Sequence, residues 1–235
     1  GGSMGCIPWR FLAAMTVAAG LCFGGYLIAP AASAAAEAAG SRAMPLDRAK
    51  ALALDAPDEA MRREAVMALG DRGTMAEVPV LVRALRDADA DVRVLAEDAL
   101  WAVFLRSGDA EVDRLTQEGI RRMQRGDLAE AAALFSQVTA RAPAFAEGYN
   151  KRATASYLMG RYADSVADCE RTLALNPWHF GALSGEGLNY IALGQPRRAL
   201  EFFERALAVH PYLDGARRNA ELLRRYLATQ ERRSL

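Results

Sequence analysis

A chain of 235 residues that is 52% hydrophobic and 25% charged can bury one or two ordinary cores, so a folded protein is expected. Its 29 Lys and Arg residues balance 29 Asp and Glu residues, and this neutrality argues against nucleic acid as a partner, which usually demands a basic excess. Of the three cysteines, Cys6 and Cys22 lie near the N-terminus, which leaves Cys169 alone in the rest of the chain and excludes an internal disulfide there.

Gly1, Gly2 and Ser3 precede the first methionine and read as a cloning scar, residues 1–3. From Met4 a start whose one charge is Arg10 leads into an uncharged apolar run over residues 11–29, then Pro30 and the small-residue stretch AASAAAE. This is the pattern of a secretory signal peptide over residues 4–36. The run is also just long enough to span a bilayer, so an uncleaved N-terminal anchor is the alternative. Either way the chain is expected outside the cytoplasm, in the periplasm or held at the inner membrane by residues 11–29. Residues 37–44 read as a linker.

The segment MRREAVMALG at 61–70 aligns with VRVLAEDALW at 92–101, placing Arg62 on Arg93, Ala65 on Ala96, Ala68 on Ala99 and Leu69 on Leu100, a period of 31. Between them EVPVLVRALRDADADVR reads as a proline-containing helix and an acidic turn. This pattern resembles the short HEAT-like repeat of bacterial proteins, and the resemblance implies helical hairpins over residues 45–110. Asp87, Asp89, Asp91 and Asp98 have the spacing of a calcium loop, but Val92 stands where the sharp turn needs glycine. Their expected role is to cap the helix that begins near Val92, where acidic groups suit the helix dipole. Trp101 and Phe104 lie about one turn off the main apolar face. They are expected to pack on an adjoining hairpin, with an exposed second partner patch as the alternative.

ALFSQVTARAP at 133–143 is followed 34 positions later by ADCERTLALNP and after another 34 by EFFERALAVHP. Pro143, Pro177 and Pro211 therefore recur in register, as do Gly126, Gly160 and Gly194, Ala131, Ser165 and Ala199, and Phe135, Cys169 and Phe203. Small residues suit the close approach of two helices, and a glycine before the second apolar run suits a helix C-cap. Leu183, Gly187, Tyr190, Ala199, Phe203 and Pro211 closely match W-x2-L-G-x2-Y, A-x3-F and P at a 34-residue period. These residues resemble the tetratricopeptide repeat. The resemblance implies an all-α, right-handed solenoid of helical hairpins: HEAT-like repeats, then three tetratricopeptide repeats over residues 111–211 (111–144, 145–178 and 179–211). The amphipathic run over 212–235 reads as a capping helix and tail. Its arginines at 217, 218, 224, 225, 232 and 233 make it basic.

The first helices of such repeats line a groove that typically holds an extended peptide or a partner's helix. Stepping by 34 gives the rows Asp113, Glu147, Gly181; Thr116, Asn150, Ser184; Ile120, Thr154, Leu188; and Met123, Tyr157, Ile191. Asn150 is the expected hydrogen-bonding partner of a ligand backbone, and Tyr157 the aromatic anchor. Some members of the family grip C-terminal carboxylates with lysine and asparagine. Here Asn150, Lys151 and Arg152 supply part of that chemistry, while Thr116 and Ser184 replace the flanking groups.

His179 and His210 sit beside prolines at repeat corners and are expected to pack there, since a zinc site needs three or four converging ligands. The serine of GALSGEG lacks the strand and spacing of a nucleophile elbow. No GxGxxG, Walker lysine or HExxH is present. No cofactor and no catalytic residue is therefore expected. The sequence predicts an exported interaction scaffold that binds a protein or peptide segment, such as a subunit of an envelope complex. The alternatives are a membrane-anchored structural subunit and, in another class, a metal-binding protein or enzyme. The apolar rows would also accept the C-terminal helix of a second copy.

Overall fold

The computed structural model describes residues 44–234. The segment read as a signal or anchor, and all but the last residue of the linker, lie outside the described residues. Every regular element among the described residues is helical. None of these helices is long and apolar enough to cross a membrane. The chain divides into two compact units, one ending at Gly108 and one running from Asp109.

In the first unit, α1 (Leu46–Asp55) and α2 (Glu59–Arg72) lead through a 3-10 turn (Met75–Glu77) into α3 (Val78–Ala84), and α4 (Ala90–Phe104) follows. Local chemistry sets these starts. Asp58 caps α2 by accepting from the Ala60 N–H, and Thr74 and Glu77 form a reciprocal capping box. Pro79 then occupies the opening turn of α3, where its missing N–H costs nothing. Asp89 caps α4 by accepting from Val92 N at 2.9 Å, so one of the acidic residues takes the expected capping role.

The period of 31 reappears as repeated geometry. Arg62 Nη1 donates to the carbonyls of Ala56 and Pro57 at 2.8 and 3.2 Å, and Arg93 Nη1 donates to those of Asp87 and Ala88 at 2.7 and 3.0 Å. Each arginine ties down the loop that precedes its own helix. Arg62 also grips Asp87 with two hydrogen bonds, and Arg63 grips Asp89 likewise. These aspartates are thus engaged by guanidinium groups. Helices α2 and α4 approach so closely at Gly70 that a Cβ there would lie 2.8 Å from that of Ala99.

The second unit holds three helical hairpins, α5 (Ala110–Arg125) with α6 (Leu128–Arg141), α7 (Ala146–Leu158) with α8 (Tyr162–Leu175), and α9 (Phe180–Ala192) with α10 (Pro196–Val209). A longer helix, α11 (Asp214–Arg233), packs on α10. Each hairpin turns at a glycine in the left-handed region: Gly126 at φ 87°, Gly160 at 74° and Gly194 at 71°. The N–H of the following residue reaches back along the helix each time, from Asp127 to Arg122 O, Arg161 to Ser156 O and Gln195 to Tyr190 O. This is the bond pattern that satisfies the last carbonyls of a helix. The second helix of each hairpin stops just before Pro143, Pro177 or Pro211.

The seam inside each hairpin is filled in more than one way. A Cβ on Gly119 would meet the Phe135 ring at 2.5 Å, and one on Gly187 would meet the Phe203 ring at 2.8 Å. In the middle hairpin the equivalent pair is Ala153 and Cys169, a larger residue facing a smaller one. Every member of these pairs is buried. Ala131, Ser165 and Ala199 sit in the same seams, and Ser165 Oγ donates to Ala153 O at 2.8 Å.

Candidate interaction face

The rows drawn from the first helices meet different fates. Thr116 donates its hydroxyl to Val112 O at 2.8 Å and Thr154 donates to Asn150 O at 3.0 Å, so both close on their own helices. Ile120 and Met123 pack on the core of Ala131, Phe135 and Ala155. Ser184, Leu188 and Ile191 are buried. Tyr157 is half-buried, with its ring 5.5 Å from that of Tyr162.

Asn150 and Lys151 belong to a buried polar knot. Glu147, wholly buried on α7, receives Lys151 Nζ at 3.0 Å and the Asn150 amide at 3.2 and 3.3 Å. His179 Nε2 donates to it at 2.6 Å, while His179 Nδ1 accepts from the Ala182 N–H and so caps α9. Those two bonds identify the neutral tautomer with the proton on Nε2. Burial alone would raise the pKa of Glu147, but the Lys151 charge and the His179 hydrogen bond outweigh it and hold the carboxyl at about 2. The side chains that were the sequence's choice for ligand contact are thus occupied in joining one hairpin to the next. His179 was read only as a corner residue, and its role depends on a contact spanning 32 positions that no local pattern displays.

Of the exposed patch that stood as the alternative for Trp101 and Phe104, Phe104 is not a part. Phe104 is 3% exposed, because it lies one helical turn after Leu100 on the inward stripe of α4. Trp101 meets it edge-on at 6.0 Å and is half-buried. Among the described residues, the exposed large apolar side chains of the second unit are Leu158, Trp178, Leu193 and Tyr212. Trp178 and Tyr212 each directly follow a repeat proline and so stand one repeat apart. Their spacing was legible in the sequence, but only the structure shows them at the surface.

Three comparisons bear on this arrangement. A TPR repeat-containing protein of Rhizobium etli is 32% identical over 143 residues, which is 61% of this chain and 70% of the relative. The chain belongs to the tetratricopeptide-repeat family. The Hsp70-Hsp90 organizing protein of Triticum aestivum is 30% identical over 122 residues, 52% of this chain but only 21% of that relative. Among solved structures, the Sgt2 TPR domain from Aspergillus fumigatus superposes with a TM-score of 0.51 at 25% identity, covering 53% of this chain and 83% of the domain. No family model matches the chain.

In these TPR hairpins Glu186 is a further departure from an apolar interior. It is 1% exposed, and its Oε2 has no hydrogen-bond partner. Burial first, and the negative charge of Glu170 second, push its carboxyl up to about 7, against the opposing pull of Arg205 and Arg198. One turn on, Asn189 gives its Nδ2 to Ser165 Oγ at 2.8 Å and leaves Oδ1 unpartnered. Cys169, buried beside them, has its thiol pushed well up by burial, which disfavours the thiolate. On the capping helix, Arg217 pairs with Asp214, and Arg224 with Glu204. Arg218, Arg225, Arg232 and Arg233 are exposed.

Proposed function

We propose that this TPR protein is an exported, non-enzymatic scaffold that holds a partner polypeptide and assists the assembly of a cell-envelope complex. The observation that carries the binding role is the repeated apolar corner. Trp178 and Tyr212 are 42% and 49% exposed at equivalent positions of successive repeats, with Leu158 and Leu193 exposed at the hairpin turns. Regularly spaced exposed aromatics suit the contact of a polypeptide, since one large ring can bury more apolar area than several aliphatic contacts. The relative in wheat is named as an organizer of other proteins, which supports the same class of role. The export reading rests on the signal-like pattern of residues 4–36, and the HEAT-like reading of residues 45–110 on its period of 31.

The test is cross-linking and co-purification from the native envelope with the wild type and a folded Trp178→Ala, Tyr212→Ala variant. A stoichiometric partner that is lost in the variant supports the reading. Recovery of the same partner with both removes the corners from the interface. The apolar run of residues 11–29 favours one second reading, a membrane-anchored subunit. N-terminal sequencing of the native protein separates the two, because a retained segment selects the anchor.

A further inference from the structure

Charge is unevenly shared along this chain. Residues 44–108 hold 12 Asp and Glu residues against 9 Lys and Arg residues, whereas residues 212–234 hold 6 arginines against 3 acidic residues. On α11 two charged rows run side by side. Arg217, Arg224 and Glu231 stand seven residues apart and are all engaged, by Asp214, Glu204 and Arg197. Arg218, Arg225 and Arg232 repeat that spacing one position further on, yet they are exposed and no ion pair engages them among the described residues. Seven residues make about two helical turns, so this row is a stripe with one guanidinium every ~10.5 Å. The outward face of α4 carries the opposite charge at the same interval. Asp91 and Asp98 are exposed there, with Val94 59% exposed between them and half-buried Trp101 beyond. Asp91 lies 3.6 Å from Arg63, whose guanidinium is already held by Asp89. Asp98 has no ion-pair partner among the described residues, and although its outer side meets solvent, burial first and Glu97 second raise the pKa of its carboxyl. The row is short of positive charge.

We propose that this chain associates head to tail with a second copy, the acidic row of α4 on one protomer lying antiparallel against the basic row of α11 on the other. This goes beyond the scaffold reading and does not use the Trp178 and Tyr212 corners. The antiparallel arrangement sets the positive N-terminal end of the α4 dipole beside the negative C-terminal end of the α11 dipole. In the register that pairs Asp98 with Arg225 of the second copy, Asp91 meets Arg232, Val94 meets Thr229 and Trp101 meets Leu222. A shift of one residue loses both charge pairs. A slip of two turns would bring Glu221 between Asp91 and Asp98, where like charges repel. An anionic membrane would also attract the α11 row, but it leaves the matched row of α4 without a role. Each copy carries both surfaces and the contact is heterologous, so association continues past the dimer unless the copies close into a ring.

The test is sedimentation velocity of the full chain across a hundredfold range of concentration, at low and at high salt. The average mass should rise with concentration at low salt, and the concentration needed for association should rise about tenfold at high salt, where the Debye length is short. Asp98→Arg and Arg225→Glu each set like charges across the contact and should each leave the chain monomeric over the same range. Mixed in equal amounts the two variants should associate again, because each supplies the surface that the other lacks. A merely structural role for either residue gives no such rescue. Thermal melts establish that the variants are folded, and Asp98→Asn and Arg232→Glu serve where a first choice is not. A wild type that stays monomeric at every concentration overturns the proposal. So does association that persists in both folded variants, as contacts through residues 11–29 would produce, and so does a monomer that binds phosphatidylglycerol vesicles in place of itself.

Discussion

Glu147 and His179 stand 2.6 Å apart with neither side chain exposed, and their bond fastens the first helix of the second TPR to the start of the first helix of the third. Because Lys151 shares the same carboxylate, the pair is a buried charge with its counter-charge and a neutral donor. Removing one member of such a group is far worse than never having built it. Glu147→Gln strands Lys151 and is expected to cost about 3 kcal/mol, measured by urea unfolding at neutral pH.

The same carboxylate sets an acid limit. Its folded pKa of about 2 lies below the ordinary 4.5, so its stabilisation is complete above pH 4.5 and is lost as pH falls from there towards 2. The linked loss is on the order of 3 kcal/mol. Unfolding curves at a series of pH values should show this slope in the wild type and a flatter one in Glu147→Gln.

Glu186 predicts the opposite sign. Its folded pKa is raised to about 7, so folding is least penalised below pH 4.5, and stability falls as pH rises from 4.5 to 7. The groups that act on it are Glu170 from α8 and Arg198 and Arg205 from α10. Glu186→Gln keeps the shape and cannot ionise. It should raise the melting temperature at pH 8, change it little at pH 4, and so remove the slope between them. A variant that melts below the wild type at pH 8 would contradict the assignment.

Much of this architecture was legible before any coordinates. The turn glycines, the closing prolines and the alternation of small and large seam residues all recur with the period of the hairpins, and each answers to local backbone or packing demands that a short stretch of sequence carries. The candidate site was less legible for a physical reason. Asn150 looks like a ligand contact on its helix, yet its amide is directed at Glu147, which in turn is drawn to His179 by a bond across 32 positions. The choice between packing and exposure at Phe104 likewise depends on where the stripe of α4 faces. Asn219 was read only as part of an amphipathic cap, because nothing in the letters shows that both ends of its amide lack partners.

The hairpin seams allow a double-mutant cycle. Gly187→Ala drives a methyl into the Phe203 ring and Phe203→Cys opens a cavity, so each alone is expected to cost about 1–4 kcal/mol. Together they reproduce the Ala153 and Cys169 pairing of the middle hairpin. The double variant should be more stable than the sum of the two losses by on the order of 1 kcal/mol, as read from urea midpoints.

At the surface, Trp178→Ala and Tyr212→Ala should each shift stability by no more than about 0.5 kcal/mol, as exposed positions usually do. Each should nevertheless reduce partner recovery at least tenfold, because large aromatics dominate interface energies. Thermal melts and quantitative co-purification on the same preparations separate the two effects.

The unequal seams also bear on how the chain avoids misassembly. A protein made of near-copies can dock one copy's helix against another's partner, a whole repeat out of place, with nearly every turn and cap intact. Here such an exchange would set Ala153 against the Phe135 ring, where even the first carbon beyond glycine has no room, or Gly119 against Cys169, where a hole would remain. The middle hairpin therefore acts as a key cut differently from its neighbours, and a folding chain that pairs the wrong helices gains less than one that pairs the right ones.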